Sequence, residues 1–145
     1  MFCIDLDGFK AVNDQLGHDA GDELLRAVAL RLRSRIRHSD TVARMGGDEF
    51  LAIIEECSGE SSAKAVADSL IAALINPAMT EAGNLTISAS IGIALYPGDG
   101  RNASQLRRNA DQAMYRAKNN GGGRSCFWSR DSESPGKAIP AKSLR

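Results

Sequence analysis

The sequence predicts an α+β domain, sandwich-like in section: a mostly antiparallel sheet with a split βαβ core and helices packed on one of its faces. Three observations predict it. Apolar residues recur at helical spacing in three long segments. Strand-like runs alternate with those segments in the order β, α, β-hairpin, α, β, α. A Gly-Gly pair joins two short strands near the middle of the chain, where a tight hairpin needs the positive φ that glycine reaches cheaply.

The elements follow in order. Met1 to Asp7 reads as a strand, and Phe9 to Leu16 as a short helix ended by Gly17. After a polar loop from His18 to Gly21, Leu24, Leu25, Val28, Leu32 and Ile36 form one stripe of a strong helix. Asp22 and Glu23 are placed in its first turn, where the helix dipole favours acids. Thr41 to Met45 and Glu49 to Glu55 are the two strands of the hairpin. Ser61 to Ile75 is a helix with Val66, Leu70 and Leu74 aligned. Leu85 to Leu95 alternates apolar residues at odd positions with small or polar ones, the pattern of a strand with one face on the core. A last helix spans about Ser104 to Asn119, and Cys126 to Trp128 is a candidate edge strand. From Ser129 to Arg145 the chain is polar with two prolines, which predicts a disordered tail.

The bulk composition narrows the function. The 145 residues are 43% hydrophobic and 25% charged, with formal net charge zero, which suits one domain with a sizeable core. Balanced charge predicts no nucleic-acid partner and no membrane contact. Cys3, Cys57 and Cys126 are too scattered for a zinc site or a disulfide framework, and a reducing cytoplasm is the expected location. No apolar run approaches the length of a membrane span.

One feature admits a functional reading beside the structural one, in which an acidic Gly-Gly-Asp turn merely decorates a hairpin. Asp48 and Glu49 stand directly before the apolar run Phe50 to Ile54. If the first strand lies beside the hairpin, Asp5 and Asp7 come close to them. Clustered carboxylates repel unless a cation is present. Mg²⁺ takes oxygen ligands and favours one or two carboxylates plus substrate phosphates. Gly46 and Gly47 beside the acids leave room for a phosphate. Strict strand alternation aims Glu49 away from the cluster, which makes Asp48 the stronger candidate.

The motif Gly46-Gly-Asp-Glu-Phe50 resembles the signature of the GGDEF family, the diguanylate cyclases. Ile4-Asp-Leu-Asp-Gly-Phe-Lys10, Asn13-Asp14, Gly17-His-Asp-Ala-Gly-Asp22, Ser90-Ile-Gly-Ile93 and Asp111-Gln-Ala-Met-Tyr-Arg-Ala-Lys118 follow the family pattern in its order, over about residues 1 to 124. The resemblance implies a palm-like core and condensation of two GTP into cyclic di-GMP with release of two pyrophosphates. Two Mg²⁺ ions per active site, with Mn²⁺ as an alternative, would lie roughly 4 Å apart. Asp5, Asp48 and the carbonyl of Leu6 correspond to the metal ligands, and Glu49 to the neighbouring acid. Lys10 and Lys118 correspond to phosphate contacts, Asn13 and Asp22 to guanine contacts, and Gly8 and Phe9 to the site lining. A carboxylate at Asp22 accepts from guanine N1 and N2, donors that adenine lacks. Helix capping is the structural alternative for Asp22, and capping of the following turn is a sufficient reason for Asp7. Arg37 and Asp40 match the family's inhibitory site, where cyclic di-GMP binds as product and inhibitor. Each domain holds one GTP, so turnover requires a transient homodimer.

Two departures accompany the match. Family domains begin with a helix behind an Asp-x-Leu-Thr-Gly-Leu-x-Asn-Arg stretch, absent from this sequence. The expectation is thus a domain over residues 1–128 without that helix, one apolar sheet face being exposed or covered by a partner. Gly122 takes the place of an expected arginine, leaving Arg124 to reach the phosphates through a glycine loop or that contact to be missing. The alternative function is a weakly active or inactive module that binds GTP or cyclic di-GMP.

Overall fold

The structure is a computed structural model and describes residues 1–128; the tail expected from Ser129 onward lies outside the described residues. The chain runs β1 (Phe2–Asp7), α1 (Phe9–Leu16), α2 (His18–Ser34), β2 (Thr41–Gly46), β3 (Glu49–Ile53), α3 (Glu60–Ile75), β4 (Ala78–Thr80), β5 (Gly83–Leu85), β6 (Ser88–Ile93), α4 (Ala103–Asn119) and β7 (Ser125–Phe127). The main sheet has the order β2-β3-β1-β6-β7, and β4 with β5 forms a separate small hairpin. β1 is central and antiparallel to both β3 and β6, whereas β7 joins β6 in parallel.

Helices cover both faces of the sheet, not one. On the first face Phe2, Ile4, Leu6, Phe50, Ile91 and Ile93 meet Leu24, Val28 and Leu32 of α2 and Ala67, Leu70 and Leu74 of α3. Each large side chain fully buried here contributes roughly 1.5–3 kcal/mol. On the second face Cys3 and Ala94 pack against Leu106, Ala110 and Met114 of α4. The small and polar alternate positions of β6 led to the one-face expectation, because they look like a solvent face. They are instead where α4 presses closest. At Gly92 an added Cβ would lie 1.9 Å from the Ala110 carbonyl oxygen.

The segment read as a loop from His18 to Gly21 is the first turn of α2. Gly17 alone, at φ 88°, separates α1 from α2. The acid in that first turn is therefore Asp19, not Asp22 or Glu23. The strand expected over Leu85 to Leu95 is divided: Gly83–Leu85 pairs with Ala78–Thr80, and only Ser88–Ile93 enters the main sheet. α4 packs on β6, β1 and β7. Over β3 the second face is less well covered, with Leu51 half-buried and Ile53 42% exposed. Cys3, Cys57 and Cys126 form no disulfide with one another. Among the described residues no helix is long and apolar enough to cross a membrane.

Candidate active site

β1 ends in Asp5-Leu6-Asp7, and the β2–β3 turn is held over that end. The Leu6 amide donates to the Asp48 carbonyl at 3.1 Å, one bond beyond the regular ladder. The turn needs its glycines: Gly46 and Gly47 have φ 138° and 53°, and the space beside both is open. The β2–β3 register shifts between Arg44 and Gly46, and Arg44 Nε donates to the Gly47 carbonyl at 2.9 Å.

This arrangement gathers the acids. Asp5 stands directly opposite Glu49 in the β1–β3 register, so both side chains share the α4 face of the sheet. The expectation that alternation aims Glu49 elsewhere is overturned, because it took no account of Asp5 occupying the same face. Asp5 is 3% exposed, and Asp48 and Glu49 are half-buried beside it. From the last turn of α4, Lys118 brings its ammonium to 2.8 Å from Asp5 Oδ1.

Burial pushes the Asp5 carboxyl up to about 6; Lys118 opposes the shift and the neighbouring Asp48 charge reinforces it. For Lys118, burial alone lowers the pKa, but the hydrogen bond and charge of Asp5, with the charges of Asp48 and Asp7, outweigh it and the net shift is upward. The lysine is held cationic.

The Asp5 shift predicts a pH dependence in the absence of divalent cations. The folded-state pKa lies above the ordinary 3.8, so the folded protein binds this proton more tightly than the unfolded chain does. Its contribution to stability is greatest below 3.8 and is lost as pH rises through about 6. Urea midpoints in EDTA at pH 4 and pH 7 are expected to fall further in wild type than in Asp5→Asn. Parallel falls would remove the assignment.

The other singled-out residues stand at the end of β1, on α1 and on α2. Gly8 is the N-cap of α1 at φ 77° with no side-chain cap, so Asp7 does not cap the turn that follows. Its carboxylate instead accepts from Ser88 Oγ (2.9 Å), Ser90 Oγ (2.7 Å) and the Gly123 amide (2.8 Å). Phe9 is buried, and Lys10 is exposed in the first turn of α1. Asn13 packs on Gly21 so closely that an added Cβ would lie 1.9 Å from Asn13 Oδ1, an atom with no hydrogen-bond partner among the described residues. Asp22 is exposed and lies beyond the first turn of α2, so the capping alternative for it falls.

Arg37 and Asp40 sit at the far end of β2, about 20 Å of strand from the glycine turn. Asp40 is 5% exposed; Oδ2 accepts from the Arg37 amide and Oδ1 from the Glu55 amide, both at 2.9 Å. Arg37 itself is exposed. Asp40 is thus a clamp between the turn before β2 and the chain leaving β3. Asp40→Ala leaves two amides without their acceptor and is expected to cost about 2–4 kcal/mol, read from a denaturation curve. Arg37→Ala, which keeps both bonds, is expected to stay near wild-type stability.

Asp5 and Asp48 offer hard oxygen donors and no soft ligand, a set suited to Mg²⁺ completed by substrate phosphates. Among the described residues no group of three or more His, Cys, Asp or Glu side chains is arranged to hold a metal ion unaided.

Residues 1–124 match the family described as "Diguanylate cyclase, GGDEF domain". The chain is 50% identical over 128 residues to the bifunctional diguanylate cyclase/cyclic di-GMP phosphodiesterase MucR of Pseudomonas aeruginosa, covering 88% of this chain and 18% of MucR. It is 39% identical over 130 residues to the cyclic di-GMP phosphodiesterase NbdA of the same organism, covering 90% of this chain and 16% of NbdA. The chain therefore spans less than a fifth of either relative. Among solved structures, the GGDEF domain of YfiN (TpbB) from P. aeruginosa superposes with a TM-score of 0.84 at 41% identity, covering 87% of this chain and 79% of that one. The chain belongs to the GGDEF family.

Proposed function

We propose that this domain condenses two GTP molecules into cyclic di-GMP and releases two pyrophosphates, each 3′-hydroxyl attacking the α-phosphate of the other nucleotide. The observation that carries the reading is the buried Asp5 beside Asp48 and Glu49, with Lys118 as the cation on the cluster. Asp5, Asp48 and the Leu6 carbonyl are the groups to hold Mg²⁺, which when bound stabilises charge on attacking and leaving oxygens. Burial first, and then the Asp48 charge, raises the Asp5 pKa, and a divalent cation on the pair would offset both. Glu49 shares that face and is placed to receive the proton of the attacking hydroxyl. Lys10 and Lys118 bind the triphosphate as point charges. Gly8, Phe9, Gly46 and Gly47 shape the wall. Asn13, whose Oδ1 lacks a partner, and Asp22 are the guanine contacts. One domain presents one such site, so the reaction joins two copies transiently. Arg37 and Asp40 form the product-binding site, the Asp40 carboxylate keeping acceptor capacity beside its two amide bonds.

A second reading is favoured by one comparison: NbdA, 39% identical, is named for cyclic di-GMP hydrolysis and not for its synthesis. On that reading this domain binds GTP and makes no product. Incubation with GTP and Mg²⁺ at several protein concentrations, with chromatography of the products, separates the two. Cyclic di-GMP rising more steeply than protein concentration supports the cyclase. Protection against heating by GTP without product supports the binding module.

A further inference from the structure

The three glycines after α4 have separate tasks. Gly121, at φ 103°, ends the helix: its amide donates to the Lys118 carbonyl at 3.1 Å, and the Gly122 amide donates to the Ala117 carbonyl at 3.0 Å. That pair of bonds is a Schellman motif. Gly122, at φ 70°, lies against the Asp7 carboxylate, and a Cβ there would stand 2.9 Å from Asp7 Oδ2. The Gly123 amide donates to the same oxygen at 2.8 Å. Ser88 and Ser90 hold the carboxylate from β6. Asp7 therefore ties β1, β6 and the end of α4 together, two residues along the strand from Asp5. Lys118 belongs to that helix end: its carbonyl closes the motif and its ammonium rests on Asp5.

We propose that Asp7 is a positioning residue: by clasping the glycine turn that ends α4, it sets the Lys118 ammonium over the acid pair, where the substrate triphosphate is bound. The inference rests on the reading of Lys118 as a triphosphate contact. A lysine stem has four rotatable bonds, so the location of its ammonium depends on a fixed helix end. Asparagine can replace the carboxylate here, since its Oδ1 accepts from Gly123 and Ser88 while its Nδ2 donates to Ser90 Oγ. Alanine cannot.

The test measures GTP and GMP affinities by calorimetry with Mg²⁺ for Asp7→Ala, Asp7→Asn, Gly122→Ala and Lys118→Ala, with melting curves alongside. Lys118→Ala is expected to weaken GTP about tenfold and GMP little, the size of one charge-assisted hydrogen bond. Asp7→Ala and Gly122→Ala, which open the clasp from its two sides, are expected to lower the GTP-to-GMP ratio by about three- to tenfold, and Asp7→Asn to restore it. Added to Lys118→Ala, Asp7→Ala is expected to lower the ratio no further. If Lys118→Ala lowers the ratio and both clasp variants leave it at the wild-type value, Asp7 has only a structural role and the inference falls alone. If Lys118→Ala leaves the ratio unchanged, the triphosphate reading of Lys118 falls and takes the inference with it.

Discussion

Asp48→Ala is expected to abolish cyclic di-GMP formation, lowering the rate by more than about 100-fold, while the protein melts within a few degrees of wild type. A loss of up to that size follows removal of a mere outer partner of a metal ligand, and a direct ligand has a larger effect. The stability half of the prediction comes from the local structure. The turn is held by backbone groups, namely the Leu6 amide on the Asp48 carbonyl and Arg44 on the Gly47 carbonyl, and alanine keeps both bonds. The side chain contributes charge, and in the metal-free protein that charge raises the pKa of its neighbour Asp5. Removing it relieves repulsion on Asp5, so the variant is expected to keep its fold. Product chromatography beside a thermal melt checks both halves. Retention of activity within threefold would place the essential acid elsewhere.

The contrast between the acids and their surroundings shows what was legible in the sequence. The meeting of Asp5 with Asp48 was legible, because a strand and a hairpin of complementary apolar pattern pair in few ways and both acids stand at element ends. The side of the sheet taken by Glu49 was not, because alternation orders residues within one strand and only the register with β1 shows which residue lies opposite. Lys118 could be marked as a candidate, but its ion pair with a residue at the other end of the chain follows from helix packing that no local pattern encodes. Asp40 could likewise be marked as a candidate, but its bonds to the Arg37 and Glu55 amides follow from the fold and not from local spacing. Asp7 looked like a turn cap because short acids before a helix often are; here Gly8 takes that position and frees Asp7 to reach across to β6 and Gly123.

The placement of α4 was the least legible part of the fold, and the second large prediction follows from it. Gly92→Val is expected to destabilise the domain by at least about 3 kcal/mol, the upper end of overpacking costs, and to lower the melting temperature on the order of 10 °C. Gly92 faces α4 from the last but one position of β6. A Cβ there would meet the Ala110 carbonyl oxygen at 1.9 Å, the Met114 amide nitrogen at 2.2 Å and the Met114 Cα at 2.8 Å. All three are main-chain atoms, so no rotamer change makes room and the helix as a whole must retreat. Helix and sheet stand this close because Ala110, Ala113 and Ala117 are also small and fully buried on the facing side. A retreat of α4 carries Lys118 away from Asp5, so the effect reaches the site. The ion pair held at 2.8 Å opens, and GTP protection against heating is expected to weaken along with the fold. Leu70→Ala is the control: it empties a fully buried position on the opposite face and is expected to cost about 2–5 kcal/mol without moving α4. If both variants lose stability and only Gly92→Val loses GTP protection beyond that loss, the helix spacing set by one glycine is what links the sheet to the triphosphate. Equal loss of GTP protection in both would confine Gly92 to a packing role.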